Sequence, residues 1–392
     1  MKFAFYERSE GIQRKVSLRE SIKLEILLRN KKDALTKHSK ECEYDSVFPK
    51  SELTRDETFE KAKLGIATTV NWMTQTQAKF GGLLGYFKNS MFERTSPNIQ
   101  KTHAFRANLS KNRNPGHPLY DRTRIRLKVE QETDNNYINA SNVSCSPCNR
   151  KWIVAQHPME KYYGDFWKMI FYEEIDTIYA IFSADEALPV YFPDETGKFY
   201  NHGDFFVHCW KMTPATGVHQ ASSYVIEVLP HGCSNARYTT ILHYPHWPKD
   251  HVAPSPKVIL KGIHSLQPDD KLTSGRCLIH SAEGINRSMC FVMTDFIIEL
   301  MFRNNTVDIP ELVTLLREQR GSSFNNRIYC VYALYVAIDY VKIRLTKFQT
   351  APELLSQIEE LQSAMKKIFS TIIPKESNHH SKIKAVTGVT VE

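Results

Sequence analysis

The chain has 392 residues, of which 42% are hydrophobic and 24% charged, and its formal net charge is +8. This composition supplies enough apolar material for a sizeable core and excludes a low-complexity, disordered chain. One domain of about 250 to 300 residues with flanking segments is expected for this length. The net charge suits an anionic partner, but a mildly basic surface explains it equally well, so it selects no class of partner.

The residues at the start of the chain include Glu7, Arg8 and Glu10, which interrupt the apolar run that a signal peptide needs. No later window approaches eighteen uncharged apolar residues, so no transmembrane segment is predicted. The eight cysteines are scattered through the chain, which is typical of free thiols rather than of a disulfide scaffold. We therefore expect a cytoplasmic, intracellular protein.

Composition and periodicity divide the chain into four segments. Residues 1–60 are predicted to be a charged, partly helical N-terminal extension, and residues 61–345 a folded domain. Residues 346–373 carry a helix over 352–368, whose apolar positions alternate at spacings of four and three. This helix is expected to dock on the domain or on a partner. Residues 374–392 have little apolar content and are predicted to be disordered.

Within the domain, short β-branched or aromatic runs alternate with helical periods. Strands are predicted over 152–155, 177–182, 204–210, 223–229, 238–244 and 277–280, and helices over 166–173, 288–303, 309–318 and 327–341. This mixture predicts an α/β or α+β domain with a central mixed sheet flanked by helices.

A strand, a short loop and the start of an apolar helix follow one another at residues 277–288. Successive backbone N–H groups and the positive end of a helix can surround an oxyanion, and the Arg287 guanidinium can bind two of its oxygens. This pattern predicts a phosphate cradle. Its residues are Ser281, Ala282, Glu283, Gly284, Ile285, Asn286, Arg287 and Ser288.

This stretch resembles the signature His-Cys-Ser-Ala-Gly-x-Gly-Arg-Ser/Thr-Gly of the protein-tyrosine-phosphatase family. In an alignment without gaps, Ser281 stands at the position of the nucleophilic cysteine. A shift of one residue deletes the cysteine instead, and in either register no thiol lies between His280 and Arg287. No cysteine elsewhere in the chain is followed by arginine six positions later.

The likeness extends over most of residues 80–345 in consistent order and spacing. The similar runs are 111–113 (Lys-Asn-Arg), 136–141 (Asn-Tyr-Ile-Asn-Ala-Ser), 153–158, 165–167 (Asp-Phe-Trp), 191–193 (Tyr-Phe-Pro) and 317–320. The resemblance, to the non-receptor, phosphotyrosine-specific type, implies a highly twisted mixed sheet. It also implies phosphotyrosine as the family's substrate, with no cofactor and no metal.

The resemblance also locates a change at the general acid. The family's Trp-Pro-Asp loop is represented by Trp247-Pro248-Lys249-Asp250, so Lys249 stands at the acid position. Asp250 could substitute only if the loop shifts by one residue. Loss of such an acid typically lowers the rate by about 10²- to 10⁴-fold. Serine lacks the thiolate form that makes cysteine a nucleophile, so Ser281 would need a base.

The resemblance assigns substrate recognition to Asn114, Asp121 and Asn325. Asn114 replaces the tyrosine that stacks on the substrate ring, and Asn325 replaces the glutamine that positions water. Tyr329 replaces a second glutamine. Glu283 adds a carboxylate to a loop that holds a dianion, and like charges repel.

These departures predict a catalytically inactive phosphatase-like protein, a pseudophosphatase, that binds a protein partner in signalling. A phosphotyrosine-containing protein is one candidate. Two alternatives are a weakly active phosphatase that uses Ser281 with Asp250, and a structural adaptor with an idle pocket. No nucleic-acid partner is expected, and the oligomeric state stays open. Cys145-Ser-Pro-Cys148 has the spacing of half a zinc site, but a surface turn is favoured because no second half follows.

Overall fold

The computed structural model describes residues 55–91, 101–217, 220–265, 276–303, 306–348 and 351–369. The sheet and the helices around it belong to the compact unit formed by residues 52–262 and 268–392. The predicted extension over 1–60 lies outside the described residues except for 55–60, and so does the predicted disordered tail at 374–392.

Nine strands of the described chain form one mixed sheet, in the order β1-β2-β3-β9-β4-β8-β7-β6-β5. The strands β3, β9, β4 and β8 run parallel to one another, and the remaining pairs are antiparallel. The bounds are β1 Arg124–Arg126, β2 Tyr137–Ser144, β3 Lys151–Gln156, β4 Ile175–Ile181, β5 Phe199–His202, β6 Phe205–Thr213, β7 Ser222–Pro230, β8 Arg237–Tyr244 and β9 Arg276–Ser281.

This architecture confirms the predicted α/β class and each of the six predicted strands. Strands β1, β2 and β5 were not predicted as strands, because β1 and β5 have only three and four residues and β2 is rich in polar side chains. Such short or polar runs carry little period-two signal.

The helices pack on both faces of the sheet. Their bounds are α1 Arg55–Lys79, α2 Leu83–Tyr86, α3 His103–Ala107, α4 Tyr163–Tyr172, α5 Pro256–Ser265, α6 Arg287–Phe302, α7 Ile309–Gln319, α8 Ile328–Phe348 and α9 Pro352–Phe369. On β4, Ile178 faces the core that contains Phe166 of α4, whereas the next residue, Tyr179, packs against Phe291 of α6. Alternation along a strand thus assigns the two helices to opposite faces.

Helix α9 packs against α8 and α1, so its apolar seam faces the domain. Ile358, Leu361 and Met365 are buried there, and the Gln362 side chain donates to Asp339 over 2.9 Å. The predicted segment boundaries at 60 and 345 fall inside α1 and α8 and mark no break in secondary structure. Among the described helices, none has an apolar stretch long enough to cross a membrane.

The centre of the sheet positions the predicted cradle. Strand β9 lies between β3 and β4, and Ser281 at its end is level with Gln156 on one side and Ile181 on the other. The loop after Ser281 therefore emerges at the carboxyl edge of three parallel strands, where ligands bind in open α/β sheets.

Candidate functional site

The loop that joins β9 to α6 turns sharply at Gly284. Gly284 has φ of 68°, and a Cβ atom there would lie 2.1 Å from the main-chain oxygen of Ala155. Only glycine fits this close approach. Ser281 ends the strand and Arg287 begins the helix, so the backbone between them wraps around the helix N-terminus.

A buried arginine supports this loop from behind. Arg320 donates from Nη2 to the main-chain oxygen of Glu283 (3.0 Å) and from Nε to that of Gly284 (3.3 Å). Burial lowers the pKa of Arg320 to about 10, so the side chain stays charged at neutral pH. The run 317–320 was among those that resemble the family, but the sequence predicted no role in the site for Arg320.

Ser281 lies at the base of the loop and has no base beside it among the described residues. Its hydroxyl is 2.9 Å from that of Ser288, and the residue is 3% exposed. His280 Nε2 is 2.8 Å from the Tyr191 hydroxyl, and burial lowers the pKa of His280 well below its ordinary value. His280 Nδ1 is buried without a hydrogen-bond partner, but adjacent residues of a strand point to opposite faces, and the described hydrogen bond of the Ser281 hydroxyl goes to Ser288 rather than to this imidazole.

Arg287 forms a bidentate ion pair with Glu186. The Nη1–Oε1 and Nη2–Oε2 distances are 2.6 and 2.5 Å, and both side chains are 3% exposed. Nη1 also donates to the main-chain oxygen of Trp247 at 2.6 Å. These bonds use three of the five N–H groups of a guanidinium. The other two, on Nε and Nη2, share one edge and suit a bidentate oxyanion.

The carboxylate of Glu186 is itself held in place. Its Oε1 atom accepts hydrogen bonds from the main-chain nitrogen of Ser183 (2.9 Å) and from the Ser183 hydroxyl (3.0 Å). Glu186 was not predicted as a site residue, because it lies 101 residues before Arg287 in a run without a recognised motif. No local signal in the sequence links the two.

Glu283, the carboxylate predicted to oppose phosphate, is turned away from Arg287. Its Oε2 atom lies 3.0 Å from His117 Nε2, with side-chain exposures of 27% and 18%. The hydrogen bond from His117, the nearby charge of Lys249 and a hydrogen bond from Asn114 lower the pKa of Glu283 below its ordinary value. The pair forms a bridge beside the cradle loop. His117 is a second site residue that was not predicted from the sequence.

A small cavity lies beside this bridge. Its volume is about 10 Å³, which holds roughly one water molecule. Its walls include Asn114, His117, Glu283, Ile285 and Arg320, but neither Ser281 nor Arg287. The cavity therefore lies on the Arg320 side of the loop.

The loop at 247–254 is attached to helix α8. Trp247 is buried, and its indole N–H donates to the main-chain oxygen of His251 at 2.8 Å. The Tyr329 hydroxyl donates to the same oxygen at 3.0 Å, and the Tyr332 hydroxyl donates to the oxygen of Ala253 at 2.9 Å. Two tyrosines of α8 therefore bind the loop to the domain.

Sequence comparison identifies the family. The profile of the family described as protein-tyrosine phosphatase matches residues 108–339, which is more than half of the chain. The chain belongs to the protein-tyrosine phosphatase family. This confirms the resemblance seen in the loop and in the runs around it.

Three relatives illustrate the extent of the likeness. The chain is 31% identical over 244 residues to tyrosine-protein phosphatase 69D of Drosophila melanogaster, with 58% of this chain and 16% of the relative covered. It is 24% identical over 294 residues to human receptor-type tyrosine-protein phosphatase alpha (73% and 35%). It is 31% identical over 224 residues to the Lar-like tyrosine-protein phosphatase of Caenorhabditis elegans (55% and 10%). The chain thus spans about a third or less of these relatives.

The predicted acid and recognition residues of this phosphatase domain lie in different surroundings. Lys249 and Asp250 are exposed, and Asp250 has φ of 62°. Lys249 is close enough to Glu283 to lower its pKa, so this lysine lies near the cradle loop. Asn114 lines the small cavity beside Glu283, and its Oδ1 atom accepts from Gly116 N at 2.9 Å.

The other two recognition residues differ in their distance from the cradle. Asp121 accepts hydrogen bonds from the main-chain nitrogens of His103 (2.8 Å) and Ala104 (3.0 Å), and so it caps α3. Asn325 is exposed and lies beside the cradle, because the main-chain nitrogen of Phe324 donates to the oxygen of Ile285 at 2.8 Å and that of Asn326 donates to Asn286 Oδ1 at 3.2 Å. Their recognition roles remain predictions from the resemblance.

The change Tyr329→Phe should loosen the loop at 247–254. It removes one buried hydrogen bond to the oxygen of His251, which typically stabilises by about 1 kcal/mol. Hydrogen exchange of the amides of 249–254, followed by mass spectrometry, should rise in this variant. Tyr335→Phe is the matched control, because the Tyr335 ring stacks on Tyr332 without a described bond to the loop. Equal exchange in both variants would contradict the assignment.

Proposed function

We propose that this chain is a catalytically inactive tyrosine-phosphatase domain that binds a protein partner. In this proposal the cradle holds a phosphotyrosine of the partner without hydrolysing it. The proposal rests on two features of the loop. Ser281 has no base beside it among the described residues, and Arg287 keeps two N–H groups on one edge of its guanidinium for an oxyanion.

The first support concerns the base and the acid that hydrolysis of a phosphate ester would need. An alcohol attacks phosphorus only when a base removes its proton, and the described hydrogen bond of the Ser281 hydroxyl goes to Ser288, not to the imidazole of His280. Lys249 stands where the family resemblance places the acid. A lysine ammonium is a much weaker acid than a carboxylic acid, so it protonates a departing tyrosine oxygen poorly.

The second support concerns oxyanion binding. The guanidinium of Arg287 is held in place by Glu186 and by the Trp247 carbonyl, so little of its side-chain entropy is left to lose on binding. The N-terminus of the sixteen-residue helix α6 adds its dipole to the same side of the loop. This arrangement suits a phosphate group more than it suits a neutral ligand.

The third support concerns the need for a protein partner. Asn114, at the position of the family's stacking tyrosine, offers no aromatic face to a phosphotyrosine ring, and Glu283 adds a carboxylate to the loop. A free aryl phosphate should therefore bind weakly. Useful affinity requires contacts of a partner with the surface around the cradle. The proposal places this interaction in cytoplasmic signalling, in keeping with the scattered cysteines.

Calorimetry with a panel of phosphotyrosine peptides and their unphosphorylated counterparts tests this proposal. We expect saturable binding of phosphorylated peptides alone. Arg287→Lys should weaken binding by at least about tenfold, because lysine keeps the charge beside Glu186 but loses the fork. Glu283→Ala should strengthen binding by roughly tenfold, since it opens the bridge and removes a like charge.

A fluorogenic phosphate ester is assayed in parallel. We expect no turnover by the wild-type chain. Turnover that disappears in Ser281→Ala would contradict the inactive assignment and favour the weakly active alternative. Absence of peptide binding in both the wild type and Glu283→Ala would contradict phosphotyrosine capture and leave the adaptor with an idle pocket. Thermal unfolding of each variant shows whether the fold is kept.

A further inference from the structure

Two cysteines meet in the turn between β2 and β3. The main-chain nitrogen of Cys148 donates to the oxygen of Cys145 at 2.7 Å, which closes a four-residue turn. The end residues of such a turn lie within about 7 Å of each other, and a disulfide spans roughly 4.4 to 6.8 Å between Cα atoms. Both residues are free thiols. The backbone therefore already brings the two side chains within bonding range.

Each cysteine also affects the pKa of the other. The Cys148 side chain lowers the pKa of Cys145, and the Cys145 side chain raises that of Cys148. The two thiols donate to main-chain oxygens, Cys145 to that of Ser146 at 3.7 Å and Cys148 to that of Phe296 at 3.9 Å. Cys145 is 6% exposed and Cys148 is half-buried, so solvent reaches the pair at one side. The thiolate is the reactive form of cysteine, so a lowered pKa favours reaction at Cys145.

We propose that Cys145 and Cys148 are a redox site of this protein, in which a hydroperoxide oxidises the dithiol to an intramolecular disulfide. The site is separate from the cradle. Along β3, the turn adjoins Lys151, whereas Ser281 is level with Gln156 at the opposite end of the strand. The proposal therefore stands whether or not the cradle binds phosphotyrosine.

The reaction proceeds in two steps. The Cys145 sulfur attacks one peroxide oxygen: the S–O bond forms, the O–O bond breaks, and the leaving oxygen takes the thiol proton as alcohol or water. The Cys148 sulfur then attacks the Cys145 sulfur, the S–S bond forms, the S–O bond breaks, and water leaves with the second proton. The two thiols lose two electrons in total, and the peroxide gains them.

Other buried thiols of the chain lack these features. Cys290 and Cys330 lie in helices α6 and α8 with 0% exposure, and burial raises the pKa of each. A buried thiol with a raised pKa is unreactive. Among the described residues, no group of three or more histidine, cysteine and acidic side chains could hold a metal ion. Oxidation is therefore the chemistry that this pair supports.

The turn is also anchored to helix α6. The Cys148 sulfur lies 3.9 Å from the main-chain oxygen of Phe296, and the main-chain nitrogen of Asn149 donates to Glu299 at 2.8 Å. Arg150 pairs with the buried carboxylate of Asp295. These contacts hold the turn in one geometry, so the two sulfurs stay close together in the reduced protein.

The test treats the full chain with increasing hydrogen peroxide at neutral pH, followed by alkylation, proteolysis and mass spectrometry. We expect the peptide that contains both cysteines to lose two hydrogens and to resist alkylation, while Cys290 and Cys330 remain thiols. Dithiothreitol should restore alkylation. In Cys148→Ser, the sulfenic acid of Cys145 should be captured by dimedone. In Cys233→Ser, which removes an exposed thiol, the disulfide should form as before.

The decisive comparison is with the urea-unfolded chain. The disulfide should form at least about tenfold faster in the folded protein, because the turn closed by the hydrogen bond from Cys148 to Cys145 keeps the two residues close together. Equal rates in the folded and unfolded chains would overturn the proposal, since the short separation of the two cysteines in sequence would then be enough to explain the disulfide. It would also be overturned if both thiols stayed alkylatable at peroxide concentrations that oxidise the exposed Cys233.

Discussion

Replacing Glu186 by alanine should lower the free energy of unfolding by about 3 to 5 kcal/mol, the range for removing one partner of a buried ion pair. Glu186 and Arg287 are each 3% exposed, so the variant leaves a guanidinium buried without its carboxylate. The main-chain nitrogen of Ser183 also loses its acceptor. Urea unfolding followed by Trp fluorescence measures the change.

The double variant Glu186→Met with Arg287→Met should recover most of this loss, because apolar groups of similar volume leave no buried charge behind. Asp194→Ala is the matched surface control. Asp194 and Lys198 are 43% and 38% exposed at their side chains, and such pairs contribute at most about 1 kcal/mol. If Glu186→Ala lost no more stability than Asp194→Ala, the buried ion pair between Glu186 and Arg287 would not stabilise the domain as we expect.

Acidification should destabilise the domain steeply below about pH 6.5, the ordinary pKa of histidine. His157 and His280 are both 0% exposed. Burial lowers the pKa of His157 to about 3 and that of His280 well below its ordinary value. Both imidazoles are neutral in the folded state and take up protons in the unfolded chain. Between pH 6.5 and the folded pKa, the unfolded state therefore binds more protons, and stability falls as the pH falls.

Each such histidine contributes a slope of about 1.4 kcal/mol per pH unit, so the two together should contribute roughly 2.7 kcal/mol per unit. Urea unfolding at about pH 7.5, 5.5 and 4.5 measures this slope. His157→Gln should remove about half of it, whereas His231→Gln, at an exposed position, should leave it unchanged. Equal stability at pH 7.5 and pH 5.5 would contradict the assignment of neutral, buried imidazoles.

These two histidines form a support beneath the cradle. Their ring centroids are 5.3 Å apart, and both contact the ring of Tyr191, at 5.4 Å for His157 and 5.3 Å for His280. His157 Nε2 is 2.9 Å from the main-chain oxygen of Pro189. Both rings stay neutral in the folded state, and His280 directly precedes Ser281, so this buried cluster lies next to the start of the loop.

The sequence by itself determined the family and the class of fold, and it located the loop. The run from His280 to Ser288 could be recognised because a strand end, a tight loop and a helix start follow one another directly in the chain. The residues that form the loop are therefore neighbours in the sequence. Apolar runs such as 152–155 and 277–280 were equally visible, because a strand buried on both faces needs continuous apolar residues. The short strand β1 and the polar strand β2 could not be recognised in this way. Each is a strand because it pairs with a neighbour in the sheet, and its own residues carry no clear strand pattern.

The tertiary structure alone decided what surrounds the loop. Glu186 reaches Arg287 from 101 residues away, and His117 meets Glu283 from a separate loop. Neither pair follows any helical or strand period, so no pattern along the chain could indicate it. Asp121 caps α3, a contact that the sequence did not indicate, and its role in substrate recognition stays a prediction. A side chain's partner depends on which segments the sheet brings together, and that arrangement is set by the packing of the whole domain rather than by neighbours in sequence.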